Sequence, residues 1–395
     1  MIARGAPAVL TSDHLDRVAP LQATLAAVKA KFPELGITRL ARQTDLDIIG
    51  IPCWAAFRPA ANALAVNQGK GLSDDAAKVS AAMEAAEFAI AEHPRVATIR
   101  ASAADLELEG PDWFNPSRSL PLGAPLAIDQ AIEWVSGSAL FERRETLVPL
   151  DLVRLGHATD LPGICQSTNG LASGNTPAEA IFHGLCELIE RDAETHWSIL
   201  PQAERMALCF DPSVLNDPVV DDLCARFAAA GVPLRLFDLT TDIAVPTFMA
   251  LAGDGRGSRL ELMAGYGTHP SPVRAAVKAI TEVAQGRVTV IASARDDIAL
   301  QDYADRADPG LSELAMADPV HHPQSGTYLS ASVDGLLNHI GQALLDAGID
   351  DVTSVSLGSD DLGFSVVRVL CDDLEDRGPN AHWRPGHRAL HALGF

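Results

Sequence analysis

The chain has 395 residues, 47% of them hydrophobic and 21% charged, with a formal net charge of −22. That charge argues against non-specific binding to nucleic acid and against docking on an anionic membrane, and it leaves a neutral or cationic peptide open as a partner. A chain of this length can bury one large core or two ordinary ones. It contains no run of about 18 apolar residues. Its start, MIARGAPAVLTSDHLDR, lacks the apolar core and cleavage site of a signal peptide. Six cysteines (Cys53, Cys165, Cys186, Cys209, Cys224 and Cys371) stand outside CxxC spacing, so reduced thiols in a cytoplasmic chain are expected.

In chain order, residues 15–32 predict an opening helix. The apolar runs of ITRLARQTDLDIIGIPCWAAFRP predict strands around a turn at Thr44–Asp47. NALAVNQGKGLS reads as a glycine-rich loop entering a long alanine-rich helix near 74–92. Residues 94–165 read as several short strands with polar loops, ETLVPLDLVRL among them. STNGLASGNT is a second such loop, feeding a helix near 177–199. A helix near 218–230 follows, then strands in VPLRLFDL, VPTFMALAG and LELMAGYGTH, and a helix in SPVRAAVKAITEVAQGRV. GTYLSASVDGLLNHIGQALLDAG, VTSVSLGS and FSVVRVLCDDL supply a further helix and two strands. The class is mixed α/β (α+β), with no linker of domain-boundary composition and no repeat of fixed period.

Three of these helices carry carboxylates at helical spacing. Ser80, Glu84 and Glu87 lie at i, i+4 and i+7, so they share one face. The apolar stripe Val79, Met83, Ala86 and Ile90 runs beside them, which suits the wall of a cleft. In the second helix Thr176 can cap and Pro177 suits the first helical position. Glu179, three residues after that cap, reads equally as the partner of a capping box and as a site residue. Glu179, His183, Glu187, Glu190 and Glu194 line one face, where His183 taken alone is a packed residue. Ahead of it, Asn169–Gly170 and Gly174–Asn175 can turn backbone N–H groups toward an anion. The third helix starts at Ser271–Pro272 and carries Glu282 and Gln285 one turn apart, with Arg287 and Arg295–Asp296–Asp297 beyond. Gly69–Lys70–Gly71 lacks Walker spacing, although a lysine just ahead of a helix can reach a phosphate.

Taken singly, the first helix reads as a solvated stripe, and Arg295–Asp296–Asp297 beyond the third as a surface salt-bridge cluster. If the three converge, two carboxylates about 4 Å apart repel by roughly 4 kcal/mol at an effective dielectric near ~20. The natural counterweight is Mg²⁺ bridged to a phosphate-bearing ligand.

In this order the segments resemble the YcaO family of ATP-dependent peptide-modifying enzymes. The likeness runs from about Ile37 to Asp297 and is carried by ITRLARQTDLDIIGIP with Arg58–Pro59, by GKG with SAAMEAAE, by STNGLASGNTPAEAIFHGLCELIERDA, and by GYGTHPSPVRAAVKAITEVAQGR ending in RDD. It implies a YcaO-like domain over 37–395, with mixed sheets and helices converging on an ATP site without a Walker loop, behind an N-terminal helical segment over 1–36. By the resemblance, Ser80, Asn175, Arg191 and Gln285 would contact ATP, with Lys70 and Arg287 as weaker candidates. Glu84, Glu87, Glu179, Glu187, Glu190 and Glu282 would include the Mg²⁺ ligands, and Glu187, Glu190 and Arg191 would stand at the catalytic centre. The implied reaction is phosphorylation of a backbone amide oxygen after a nucleophile has added to the carbonyl.

Two products stay open. A Cys, Ser or Thr side chain of the peptide gives an azoline, and sulfide gives a thioamide. Azoline-forming members often end in a proline-rich tail. The segment HWRPGHRALHALGF has one proline in fourteen residues and resembles the group paired with a TfuA-like protein, associated with thioamidation of ribosomal peptides. His382, His387 and His391 read as a solvated basic tail or as site residues. The 36 residues before the likeness are short for a winged-helix leader-binding module, so a separate partner would present the precursor peptide. The resemblance also implies a homodimer. The rival readings are a two-metal hydrolase, which needs His or Asp ligands in number, and a non-catalytic scaffold of the same fold.

Overall fold

The computed structural model describes residues 16–394 apart from 121–126, 162, 255–260, 296, 299–300, 302, 304–308, 324–325 and 379–382. The expected opening helix is two: Leu21–Ala30 (α1) and Phe32–Leu35 (α2), divided at Lys31 just ahead of Pro33. Residue 15 of that expectation lies outside the described residues. Arg39–Arg42 (β1) and Cys53–Phe57 (β2) flank the expected turn, which is a 3₁₀ turn over Thr44–Leu46.

Val66–Lys70 (β3) corrects the loop expected in VNQGK. It pairs antiparallel with β2, Val66 opposite Phe57 and Lys70 opposite Cys53. Asn and Gly are poor strand formers, so composition hid it. Packing explains it. Asp74–Glu92 (α3), capped by the Ser73 side chain, lies directly on this strand. A Cβ at Gly69 would stand 2.0 Å from the Ala81 amide nitrogen. Only glycine lets the two backbones approach so closely. Arg58 then ties the end of β2 to the end of α3 through a buried two-point ion pair with Glu92 (2.6 and 3.2 Å).

Residues expected to hold only strands contain Thr98–Ala101 (β4) and also a helix, Ala103–Glu109 (α4), started by a Ser102–Asp105 capping box. Ile132–Ala139 (β5) and Glu145–Pro149 (β6) form a hairpin. Leu171–Gly174 (β7) is a strand inside the second expected loop. Pro177–Ile199 (α5) follows, with Thr176 accepting from the Glu179 amide. After Gln202–Ala207 (α6) come Cys209–Phe210 (β8), Pro218–Ala229 (α7), Leu234–Asp238 (β9), Thr247–Ala252 (β10), Met263–Thr268 (β11) and Pro272–Ala292 (α8). A helix at Val333–Asp346, then Thr353–Ser356 (β12) and Ser365–Leu370 (β13), and a short helix at His387–Ala392 complete the order used below.

The strands make three sheets: β1-β2-β3; β4-β5-β12-β13-β7 with β6 on β5; and β11-β10-β9-β8. α3 lies between the first two, touching both β3 and β7; α5 packs on β7 and β13 and reaches β11; α8 packs on β11 and reaches back to β3. Alanines 77, 81, 82, 85 and 86 of α3 are fully buried, which keeps the layers thin. α1 packs on α3, and Val28 and Leu35 join the core that contains α3. The three acidic helices thus share neighbours across the sheets, although their sequences are about a hundred residues apart. No helix among the described residues is long and apolar enough to cross a membrane.

Candidate functional site

On α3, Val79, Met83, Ala86 and Ile90 are buried, while Ser80, Glu84 and Glu87 are only partly so. The polar stripe therefore forms the rim of the buried face. Glu87 accepts from the amide and hydroxyl of Ser173 on β7 (2.9 and 2.6 Å). Glu187 and Glu190 come from α5. Arg191 pairs with Glu190 (2.6 Å) and Glu194 (2.5 Å) and lies over the Tyr266 ring at 4.9 Å. Glu282 of α8 pairs with Lys70 at 2.5 Å, their side chains 32% and 24% exposed, so this corner opens to solvent. Lys70 stands at the end of β3, not on a loop.

Electrostatics join these groups into one site. Burial and the charge of Glu87 push Glu84 up to about 8. Burial lifts Glu87 to about 7 against its two Ser173 hydrogen bonds. Burial also lifts Glu187 to about 8; Arg191 opposes the rise, and Glu190 and Glu87 add to it. Burial disfavours charge on Lys70, but Glu282, Glu190 and Glu84 outweigh it and hold the ammonium above its ordinary range. Burial likewise works against the Glu282 carboxylate, yet Lys70 and Arg191 keep it below the usual range. Side chains from α3, α5, α8 and β3 therefore feel one another's charge. Carboxyls held near neutrality by burial and mutual repulsion favour an incoming divalent cation. Among the described residues no three His, Cys, Asp or Glu side chains are already gathered about a common metal point.

Other predicted residues have different work. Glu179 is fully buried and accepts from Arg17 (3.1 Å), the Val18 amide (3.0 Å) and Asn175 (3.0 and 3.1 Å). Asn175 accepts in turn from Thr24 at 2.7 Å. These two residues clamp the N-terminal segment, so a nucleotide contact there requires exchanging one of these bonds. His183 meets Arg17 in the same clamp, as a packed residue. Gln285 donates to the Gln68 carbonyl (3.1 Å). Arg287 makes a two-point ion pair with Asp47 (2.9 and 3.1 Å), which fastens the β1–β2 turn to α8. Arg295 pairs with Asp297 (2.5 and 2.9 Å) while its charge reaches Glu84. Asp296 and His382 lie outside the described residues. His387 and His391 line a separate cavity of about 760 Å³ with His196 and His321.

Three contributors were missed in the sequence. Ser173 sat in a segment read as loop. Arg17, from a stretch without a motif, brings a charge that opposes the rise of Glu87. Arg368 is 4% exposed on β13 and senses Glu187; a lone arginine inside the apolar run FSVVRVL was its signal. Beside Glu187 and Arg191 a cavity of about 820 Å³ extends between residues 165–169, the end of β13 and the segment around Cys371–Gly378.

Residues 68–375 match the family described as YcaO cyclodehydratase, ATP- and Mg²⁺-binding. The chain is 38% identical over 402 residues to an uncharacterized protein in the tfuA 3′ region of Rhizobium leguminosarum bv. trifolii, covering 97% of this chain and 94% of that one. It is 36% identical over 379 residues to an uncharacterized protein of Methanothermobacter thermautotrophicus, covering 92% and 95%. Solved structures share the fold, among them two whose match spans nearly the whole of this chain. One is a heterocyclase in complex with substrate and cofactor (TM-score 0.76, 21% identity), where the match covers 95% of this chain and 55% of that chain. The other is YcaO from Methanopyrus kandleri bound with AMPPCP and Mg²⁺ (TM-score 0.72, 22% identity), with 96% and 100% covered. The family match runs through all three acidic helices, and with it the chain belongs to the YcaO family of ATP- and Mg²⁺-binding, peptide-modifying proteins.

Proposed function

We propose that this protein activates a backbone amide of a peptide by phosphorylating its oxygen at the expense of ATP, and that sulfide delivered by a TfuA-like partner completes a thioamide. The observation that carries the reading is the wall of carboxylates from three helices, with two cations beside it and three carboxyls lifted to about 7 or 8. Such a wall suits Mg²⁺ and nucleotide phosphates and calls for no protein nucleophile, which fits phosphoryl transfer, where positioning and charge neutralisation do most of the catalysis.

Mg·ATP, when bound, would supply the phosphoryl group that turns the amide oxygen into a leaving group, so that the oxygen departs as phosphate and sulfur takes its place. Glu84, Glu87, Glu187, Glu190 and Glu282 are the residues proposed to hold the metal. Lys70 and Arg191 bring positive charge to the same corner, and Ser80 and Gln285 stand at its rim.

The thioamide is favoured because the 38% identical relative is a protein of a tfuA 3′ region. The family's description as a cyclodehydratase supports the alternative, an azoline closed by the peptide's own Cys, Ser or Thr. Mass spectrometry of a precursor peptide co-produced with this chain and a TfuA-like protein separates the two. Exchange of oxygen for sulfur is expected, and the exchange should vanish with Glu187→Gln. Loss of one water would replace the thioamide with the azoline, and an unaltered peptide would remove both.

A further inference from the structure

The cavity beside Glu187 holds a concentration of polar groups that the fold does not satisfy. Arg368 gives one hydrogen bond, from Nη2 to the Ser167 carbonyl at 2.5 Å. Its Nε and Nη1 are buried and find no hydrogen-bond partner among the described residues. The same holds for Gln166 Nε2, Asn169 Oδ1 and Arg191 Nε, and all four residues line this one cavity. A folded chain seldom leaves buried donors and acceptors unpaired, and several in one cavity mark the place of a ligand that completes them. The set is four donor nitrogens and one carbonyl acceptor. Its complement is several carbonyl oxygens and an N–H, the groups that a stretch of peptide backbone carries.

Position narrows the assignment. Arg368 is fixed on a strand paired on both sides, Val355 of β12 opposite it on one edge and Leu171 of β7 on the other. Its guanidinium lies within the field of Glu187 and of Asp376. It lines the cavity together with Glu187, within reach of an oxygen bound there that receives negative charge. A rigid, buried arginine aimed at such an oxygen is a preorganised electrostatic stabiliser.

We infer that this cavity receives the peptide segment bearing the reacting amide, that Arg368 donates to the amide oxygen, and that Gln166 and Asn169 hold the neighbouring backbone. The inference rests on the amide-activating reading above and adds to it the place and partner of the amide.

The test uses the full-length chain, immobilised with Mg·AMPPNP, and a pooled library of random octapeptides read by mass spectrometry. A thermal-shift measurement with Mg·ATP is run on every variant. The wild type should retain peptides. Arg368→Met should retain at least tenfold less, Arg368→Lys should restore part of the loss, and Gln166→Ala and Asn169→Ala should each retain less while keeping the Mg·ATP shift. Equal retention by Arg368→Met and by the two alanine variants, or no retention by the wild type, would overturn the inference. Should Arg368→Met fail to fold, the alanine variants at the partly exposed Gln166 and Asn169 decide. Absence of a Mg·ATP shift in the wild type would strike the amide-activating reading instead, so the two failures remain distinct.

Discussion

Glu84, Glu87 and Glu187 are held near neutrality in the folded chain, at about 8, 7 and 8 against an ordinary 4.5. An unfolded chain releases these protons at lower pH, so between the two values the folded state binds more protons than the unfolded one. Folding stability without a divalent cation therefore falls as pH rises from about 5 to about 8. Mg²⁺ with nucleotide should remove most of that slope, because it binds the deprotonated form. Urea unfolding at several pH values, with EDTA or with Mg·ATP, checks this, and Glu187→Gln should flatten the EDTA profile. A profile flat in EDTA for the wild type would mean that folding does not raise these carboxyls above their ordinary range. The residue scale is also where the sequence was least informative. The resemblance implies Arg287 as a weaker nucleotide contact, and in the fold it pairs with Asp47, 240 residues away. Glu179 reads as a cap partner or a ligand, and the N-terminal segment claims it. Spacing along a helix places side chains on a face, but it does not say what arrives opposite.

The acidic helices were legible as elements because their signals are local. Ser73 caps α3, Thr176 caps α5, and Pro177 and Pro272 occupy first turns. α4 has an equally local signal in Ser102 and Asp105, which was overlooked among short strand-like runs. β3 and β7 were not legible, since VNQGK and LASG hold too few β-branched or aromatic residues to announce a strand. Both are strands because glycine admits a helix: a Cβ at Gly69 would meet the Ala81 nitrogen at 2.0 Å, and one at Gly174 the Ala180 nitrogen at 2.6 Å. Gly69→Ala forces α3 away from β3, an overpacking that costs about 1–3 kcal/mol or more. It should lower the urea midpoint without changing the slope, and it should weaken nucleotide binding too, because Lys70 and Glu84 sit on the two displaced elements. An unchanged midpoint would show that the α3–β3 contact is looser than described.

At the scale of the molecule, three sheets with shared helices bring together α3, α5 and α8 from widely separated stretches, and their acidic side chains feel one another's charge. The fold class was readable from the alternation of helices and strands and from the family resemblance. The division into three sheets was not, because pairing between distant strands leaves no trace in local pattern. The most direct measurement of the central claim is calorimetric titration of Mg·AMPPNP into the wild type and into Glu84→Gln, Glu187→Gln and Glu282→Gln, one variant for each helix. If the three helices build a single metal–nucleotide site, each substitution lowers affinity by about tenfold or more, roughly 1.4 kcal/mol. Wild-type affinity retained by a variant on any one helix would show that this helix stands outside the site and would contradict the account.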